Sequence, residues 1–184
     1  RTTYQWNVPI PSMRLLLHNS GPVATLASGD LNSPLTGTDM SDTESMVMEG
    51  NNGILIDGDI ISKISQSEEL THEFGTDDNS TLHIIDCKGK AIIPGFVDSH
   101  THLLWEGDRA NEMQLRHKGL TYSDIAKSGG GIQKTVDFTR SASIESLTKL
   151  GQRRISRAFQ FGTTSIECKS GYGLTVNSEL KLLE

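Results

Sequence analysis

Aromatic side chains make up only 5% of the 184 residues, and the hydrophobic fraction stops at 35%. No apolar run approaches the ~20 residues that a membrane-spanning helix needs, so a helical membrane protein is excluded as a reading. Nothing at the start has the form of a secretory signal. Cysteine is almost absent. Cys87 and Cys168 are the two present, and no Cys-x-x-Cys arrangement joins them. This gives no hint of a disulfide scaffold, and it suits a reducing compartment. Basic residues are the minority charge, 17 against 23 acidic, for a formal net charge of −6. A nucleic-acid partner would want a basic face and an anionic membrane surface a polybasic run. Neither is expected, and a cytoplasmic protein is.

What is present falls into two regimes. The first ~90 residues carry short strand signals. Arg14–His18 and Pro22–Ala27 are apolar runs separated by Asn19-Ser20-Gly21, and they read as a pair of strands. Residues 28–52 are rich in Ser, Gly, Asp, Asn and Thr, with Met46–Met48 as an apolar cluster, and read as a long surface loop. Its acids Asp30, Asp39, Asp42 and Glu44 read as a solvated edge. Gly53–Ile56 and Asp59–Ile64 flank Asp57-Gly58, which predicts a hairpin with a type I′ turn. A short helix is expected over Glu68–Phe74, a strand over Thr81–Asp86, and a turn at Cys87–Lys90.

Beyond that point the periodicity changes. Helix is predicted for Ala110–Leu120, for a stretch opened by Thr121 and Asp124, for Ser143–Phe161 and for Val176–Glu184, with a strand at Thr163–Cys168. Ser143 suits an N-cap, and Ile144, Leu147, Ile155, Ala158 and Phe159 form an apolar stripe. Gly129-Gly130-Gly131 must be a loop, since each glycine in a helix costs about 1 kcal/mol relative to alanine. Strand, helix, strand, helix is the start of a parallel α/β architecture.

The regimes meet at Ala91–His102, where a strand rich in apolar residues closes on Asp98 and delivers His100 and His102. In extended backbone, residues i and i+2 share a face, so the two imidazoles project together and Thr101 turns away. Two neutral imidazoles side by side are half of a site for zinc or a similar ion, with Asp98 suited to a hydrogen bond behind them. Arg109 can hold a carboxylate by two parallel hydrogen bonds, or pair with Glu106 or Glu112 at the surface. Tyr172 lies between Gly171 and Gly173 and offers a hydroxyl; it could equally be a packed loop residue. His18, His72 and His83 read as structural or surface residues.

Pro94-Gly95-Phe96-Val97-Asp98-Ser99-His100-Thr101-His102 resembles the first-strand signature of the amidohydrolase superfamily of metal-dependent hydrolases. Gly107–Glu112, Lys118-Gly119 with Tyr122, Gly129–Ile132 and Glu167–Leu174 narrow the resemblance to the imidazolonepropionases. It runs from about residue 85 to the last residue and more loosely before that. It implies an α/β fold: a small β-sandwich over residues 1–90, followed by a (β/α)₈ barrel that begins at residues 91–184. It further implies metal ligation by His100 and His102, and substrate binding by Arg109 and Tyr172. The metal is one ion, zinc by first choice and iron by second. The reaction implied is hydrolysis of the ring C–N bond of 4-imidazolone-5-propanoate to N-formimino-L-glutamate. The partner expected is that small molecule; a homodimer is the assembly considered, the oligomeric state staying open. The alternatives are another cyclic amidohydrolase or a deaminase of the superfamily, or a non-catalytic fragment.

In such a family the other metal ligands, a histidine and an aspartate, and the acid/base glutamate come from later barrel strands. No residue of this chain is therefore assigned the catalytic proton transfers. His117 falls in a helical stretch and does not substitute for the missing ligand, and Lys169 is not assigned as a carboxylated bridging lysine. A barrel of this kind needs ~250 residues, and the chain starts at Arg1 and ends on an uncapped helical stretch. The expectation is the N-terminal part of a longer enzyme, inactive by itself.

Overall fold

The computed structural model describes residues 13–26, 35–75 and 82–184. The expectations for Asp30, for Thr81 and for the end of the Pro22–Ala27 run lie outside those residues. The chain divides into two compact units, Arg1–Pro94 and Gly95–Glu184.

In the first unit, strands β1 (Arg14–Ser20), β2 (Val23–Ala24), β3 (Val47–Met48), β4 (Asn52–Asp57), β5 (Ile60–Gln66) and β6 (Leu82–Asp86) are joined by two short helices, α1 (Thr43–Met46) and α2 (Ser67–Phe74). A four-stranded sheet has the order β5-β4-β1-β6, with β1 antiparallel to β4 and parallel to β6. Leu16 from β1, Leu55 from β4 and Leu70 from α2 form its buried core, with Phe74 and Leu82 packed against them. The helix exists because Leu70 and Phe74, four residues apart, share one face, and that face has a sheet to cover.

The two runs around Asn19–Gly21 are not paired with each other. β1 already has β4 and β6 on its two edges, so β2 pairs with β3 instead. The supposed loop is also more structured than its composition indicates. A 3₁₀ turn covers Gly37–Ser41, Asp42 caps α1 by accepting from the Ser45 N–H, and Met46 is buried. Asp39, Asp42 and Glu44 are all exposed as expected, and Asp42 has the capping role in addition. The β4–β5 hairpin forms, but Asp57 pairs directly with Ile60, so its turn is Gly58-Asp59. Of these two only Gly58 has a positive φ, so the turn is not type I′, which needs two. Consecutive positive φ values occur instead at Lys88 and Gly89, where the Lys90 N–H donates to the Cys87 carbonyl at 3.0 Å.

In the second unit, β7 (Phe96–Thr101) and β8 (Thr163–Cys168) pair in parallel. Between them come α3 (Ala110–His117), α4 (Tyr122–Lys127), α5 (Ile132–Ser141) and α6 (Ile144–Gln160); α7 (Val176–Lys181) follows β8. Thr121 and Asp124 form a reciprocal capping box at α4, and the Ser143 hydroxyl accepts from the Ser146 N–H at α6. Gly162 ends α6 with φ +93°, as its position after the last apolar turn predicts. Helix α5 is an addition that the sequence pattern did not reveal.

The strand expected from Ala91 starts five residues later. Ile92 bridges Val23 within the first unit, and the regular ladder of β7 begins only at Phe96. Pro94 lacks the N–H that a ladder needs, which interrupts the strand pairing in between. Nor is β7 buried as a barrel strand would be: Phe96 is 54% and Val97 72% exposed. In the apolar stripe of α6, Leu147 is buried, while Ile144, Ile155 and Phe159 are exposed.

Candidate active site

β7 ends at Thr101, where a last backbone bond ties it to the residue after β8: the Lys169 N–H donates to the Thr101 carbonyl at 2.8 Å. His100 and His102 flank that residue, and their ring centroids lie 5.3 Å apart. The Asp98 carboxylate accepts from the His100 backbone N–H at 3.1 Å, bracing the strand end. The His102 ring meets Tyr172 edge-on at 5.4 Å, and Tyr172 in turn stands 6.3 Å from Trp105. A row of His100, His102, Tyr172 and Trp105 thus lies across the C-terminal ends of the two parallel strands.

His102 Nδ1 is buried and has no hydrogen-bond partner among the described residues. A buried nitrogen of this kind costs about 1–3 kcal/mol if left unsatisfied. Two imidazoles that share one tetrahedral ion have ring centroids about 5 Å apart, so the pair fits half of a metal ligand set. No group of three or more His, Cys, Asp or Glu side chains able to hold a metal occurs among the described residues.

The close passage of His102 past the β8 loop requires glycine at position 171. A Cβ there would lie 2.8 Å from His102 Cε1, and its φ is +150°. The next loop is tied down from two helices. The Arg154 guanidinium donates to the carbonyls of Leu103 and Trp105 at 2.7 and 2.9 Å and stacks 3.9 Å above the Trp105 ring. Burial and the neighbouring Arg153 lower the pKa of Arg154, and Glu106 opposes the shift. The Glu106 N–H donates to Thr139 Oγ1, and its carboxylate accepts from Ser146. Gly107, at φ +82°, lies against the Phe138 ring.

Arg109 stands apart from this row. It precedes α3, lies 3.9 Å from Glu112, and lines a cavity of about 240 Å³ with Met113, Arg116 and Tyr122. Glu112 also accepts from the Gly131 N–H at 2.8 Å, which packs the triple-glycine loop against α3 and α4. Lys169 is ion-paired with Glu167, and His117 sits in the last turn of α3. The structure therefore brings His100, His102 and Tyr172 together and does not join Arg109 to them. Trp105, Arg140, Arg154 and Glu179, all tied to this region, carry no sequence signal of their own. An acid in the first turn of a helix, as Glu179 is, ordinarily reads as a partner of its own helix.

No protein-family model matches the chain. Its fold is similar to that of E. coli guanine deaminase, with a TM-score of 0.52 at 16% identity over 92% of this chain and 32% of that one. At that identity the likeness shows an α/β fold of that type and nothing of activity. In sequence it is 44% identical over 170 residues to the imidazolonepropionase of Symbiobacterium thermophilum and 40% identical over 174 residues to the probable imidazolonepropionase of Xenopus tropicalis. Each match covers 92% of this chain, which spans 38% of the length of either relative. Over nearly all of its own residues the chain is thus similar to proteins named imidazolonepropionase, of whose length it spans little more than a third.

Proposed function

We propose that the protein hydrolyses the ring C–N bond of 4-imidazolone-5-propanoate to N-formimino-L-glutamate with the help of one metal ion. The observation that carries this reading is the 44% identity to an imidazolonepropionase over 92% of the chain. The reading includes the first strands of a (β/α)₈ barrel from about residue 91 and a small β-sandwich before it. The parallel β7–β8 pair with its crossover helix α6 supports the former, and the sheets of the first unit support the latter.

His100 and His102 would supply half of the ligand set, His102 through the nitrogen that otherwise goes unsatisfied. Zinc is the first choice and iron the second, since imidazole ligands suit both. When bound, the ion supplies Lewis acidity, enough to make water a nucleophile near neutral pH. Asp98 fixes the backbone at His100. Tyr172, edge-on to His102, lends its hydroxyl to orient the ring of the substrate. Arg109 takes the propanoate carboxylate, with Glu112 orienting the guanidinium from one side. Holding both ends of the substrate in this way converts binding energy into alignment of the reacting carbon.

The test is release of formiminoglutamate from imidazolone propionate by the full-length protein, before and after chelation. Activity that is lost with the chelator and restored by zinc or iron supports the reading. Turnover of a purine amine in place of imidazolone propionate would assign the protein to the deaminases.

A further inference from the structure

Tyr172 belongs to the loop Ser170–Leu174, and both sides of that loop are gripped by charged side chains from the flanking helices. From α7, Glu179 Oε1 accepts the N–H groups of Gly173 and Leu174 at 2.9 and 2.6 Å. From α5, Arg140 Nε donates to the Gly173 carbonyl at 2.6 Å. A single residue, Gly173, is thus held at its N–H by an anion and at its C=O by a cation. Gly173 is buried, and a Cβ on it would lie 2.7 Å from the Glu179 nitrogen, so the loop lies directly on the start of α7. Lys181 then ties α7 back to the end of α5 through the Ala142 carbonyl at 2.6 Å. The backbone is costly to hold otherwise: Leu174 has φ +53°, a region that a leucine adopts only when its surroundings impose it.

We propose that Glu179 and Arg140 are positioning residues for Tyr172, acting through the Gly173 peptide groups to hold its ring against His102. The consequence for catalysis rests on the hydrolase reading above; the geometric part does not. Charge-assisted bonds are the stronger class of hydrogen bond, and two of opposite sign on one residue leave its peptide planes little freedom. Burial would raise the Glu179 carboxyl pKa, but hydrogen bonds from Leu174, Ser170, Gly173 and Gly171 outweigh it and leave the group below its usual value. The side chain is therefore the anion the grip needs at neutral pH.

The experiment uses the full-length protein with tyrosine ring carbons labelled, the Tyr172 resonance being identified by its loss in Tyr172→Phe. In Glu179→Ala and Arg140→Ala the Tyr172 resonance should move while that of Tyr122 stays, and the Gly173 and Leu174 amides should exchange at least about tenfold faster. Glu179→Gln, which keeps an acceptor oxygen, and Arg140→Lys, which keeps a cationic donor, should fall between wild type and the alanine variants. They also serve if an alanine variant does not fold. In the activity assay KM should rise about tenfold with kcat nearly unchanged, the sign of lost uniform binding. That rise should disappear when Glu179→Ala is made in Tyr172→Ala, because the two act as one unit. An unmoved Tyr172 resonance with unchanged Gly173 and Leu174 exchange overturns the proposal, and so does a KM effect of equal size in the two backgrounds. A protein inactive on imidazolone propionate removes the hydrolase reading alone, since the resonance and exchange measurements still decide the positioning role.

Discussion

At the scale of single residues, the His pair is the feature whose sequence spacing and structural placement coincide most closely. Alternation along an extended backbone puts His100 and His102 on one face wherever the strand runs, and the rings are indeed neighbours at 5.3 Å. His100→Ala or His102→Ala in the full-length protein should therefore abolish stoichiometric metal and nearly all hydrolysis, read by metal analysis of the purified variants. Metal retained at full occupancy in the double variant would remove the ligand assignment. Arg109 was legible only as a residue type in a family motif. Its environment, a shallow cavity shared with Arg116 and Tyr122, depends on how α3 and α4 pack, and no local pattern encodes that. Since its side chain is 38% exposed, Arg109→Ala should cost the lower end of the range for truncating one member of a charged pair. That is about 2 kcal/mol, or roughly 30-fold in kcat/KM. An imidazolone without the carboxylate should lose far less, and equal losses on the two substrates would make Arg109 structural.

At the scale of elements, the signals that work by local chemistry translated well. Ser143 and Thr121 cap the helices they precede, Gly162 ends α6, and α2 lies one residue from its expected start. What failed depends on partners distant in sequence. Which strand flanks β1 is decided by β4 and β6, not by the turn after Ser20. Met46, at the end of a polar stretch, is buried where the Thr25 and Leu26 N–H groups meet its carbonyl beside the β2–β3 ladder. Glu179 is the corresponding case in the second unit: it lies in the first turn of α7 and serves the loop before it. Its carboxyl has a folded-state pKa below the ordinary value, so the stabilisation it gives is present above the unfolded pKa of about 4.3 and is lost as pH falls through the folded one. The Gly173 and Leu174 amide resonances, whose N–H groups Glu179 accepts, should therefore stay constant from neutral pH down to about pH 4.3 and change only in stronger acid. In Glu179→Gln the same step should be absent. The same acid step persisting in Glu179→Gln would show that some other group governs the loop.

At the scale of the whole molecule, the two units differ in how completely they cover their apolar residues. In the first, Leu16, Leu55 and Leu70 are sealed between sheet and helix. In the second, the parallel pair β7–β8 leaves Phe96 and Val97 on its first strand open, and Ile155, Phe159 and Phe161 at and beyond the C-terminal half of α6 are likewise exposed. Parallel strands are ordinarily covered on both faces, and a two-stranded sheet has little stability of its own. A cavity of about 310 Å³ between α6 and β8, lined by Leu103, Ile155, Phe159, Thr163, Thr164, Ile166 and Cys168, has the same open character. No described helix is long and apolar enough to cross a membrane, so these residues do not form a helical membrane span. Where exposed apolar residues adjoin, such surface marks an interface or an aggregation hazard. Expressed by itself, the 184-residue polypeptide should bind a hydrophobic dye and lack a single sharp melt. Protection of backbone amides should be high in β1 and β4 and low in β7 and β8. Metal should bind it weakly, because two imidazoles leave at least half of a coordination sphere to water. A monomeric polypeptide of this length that melts in one cooperative step, with β7 amides as protected as those of β4, would show that the second unit needs no further covering.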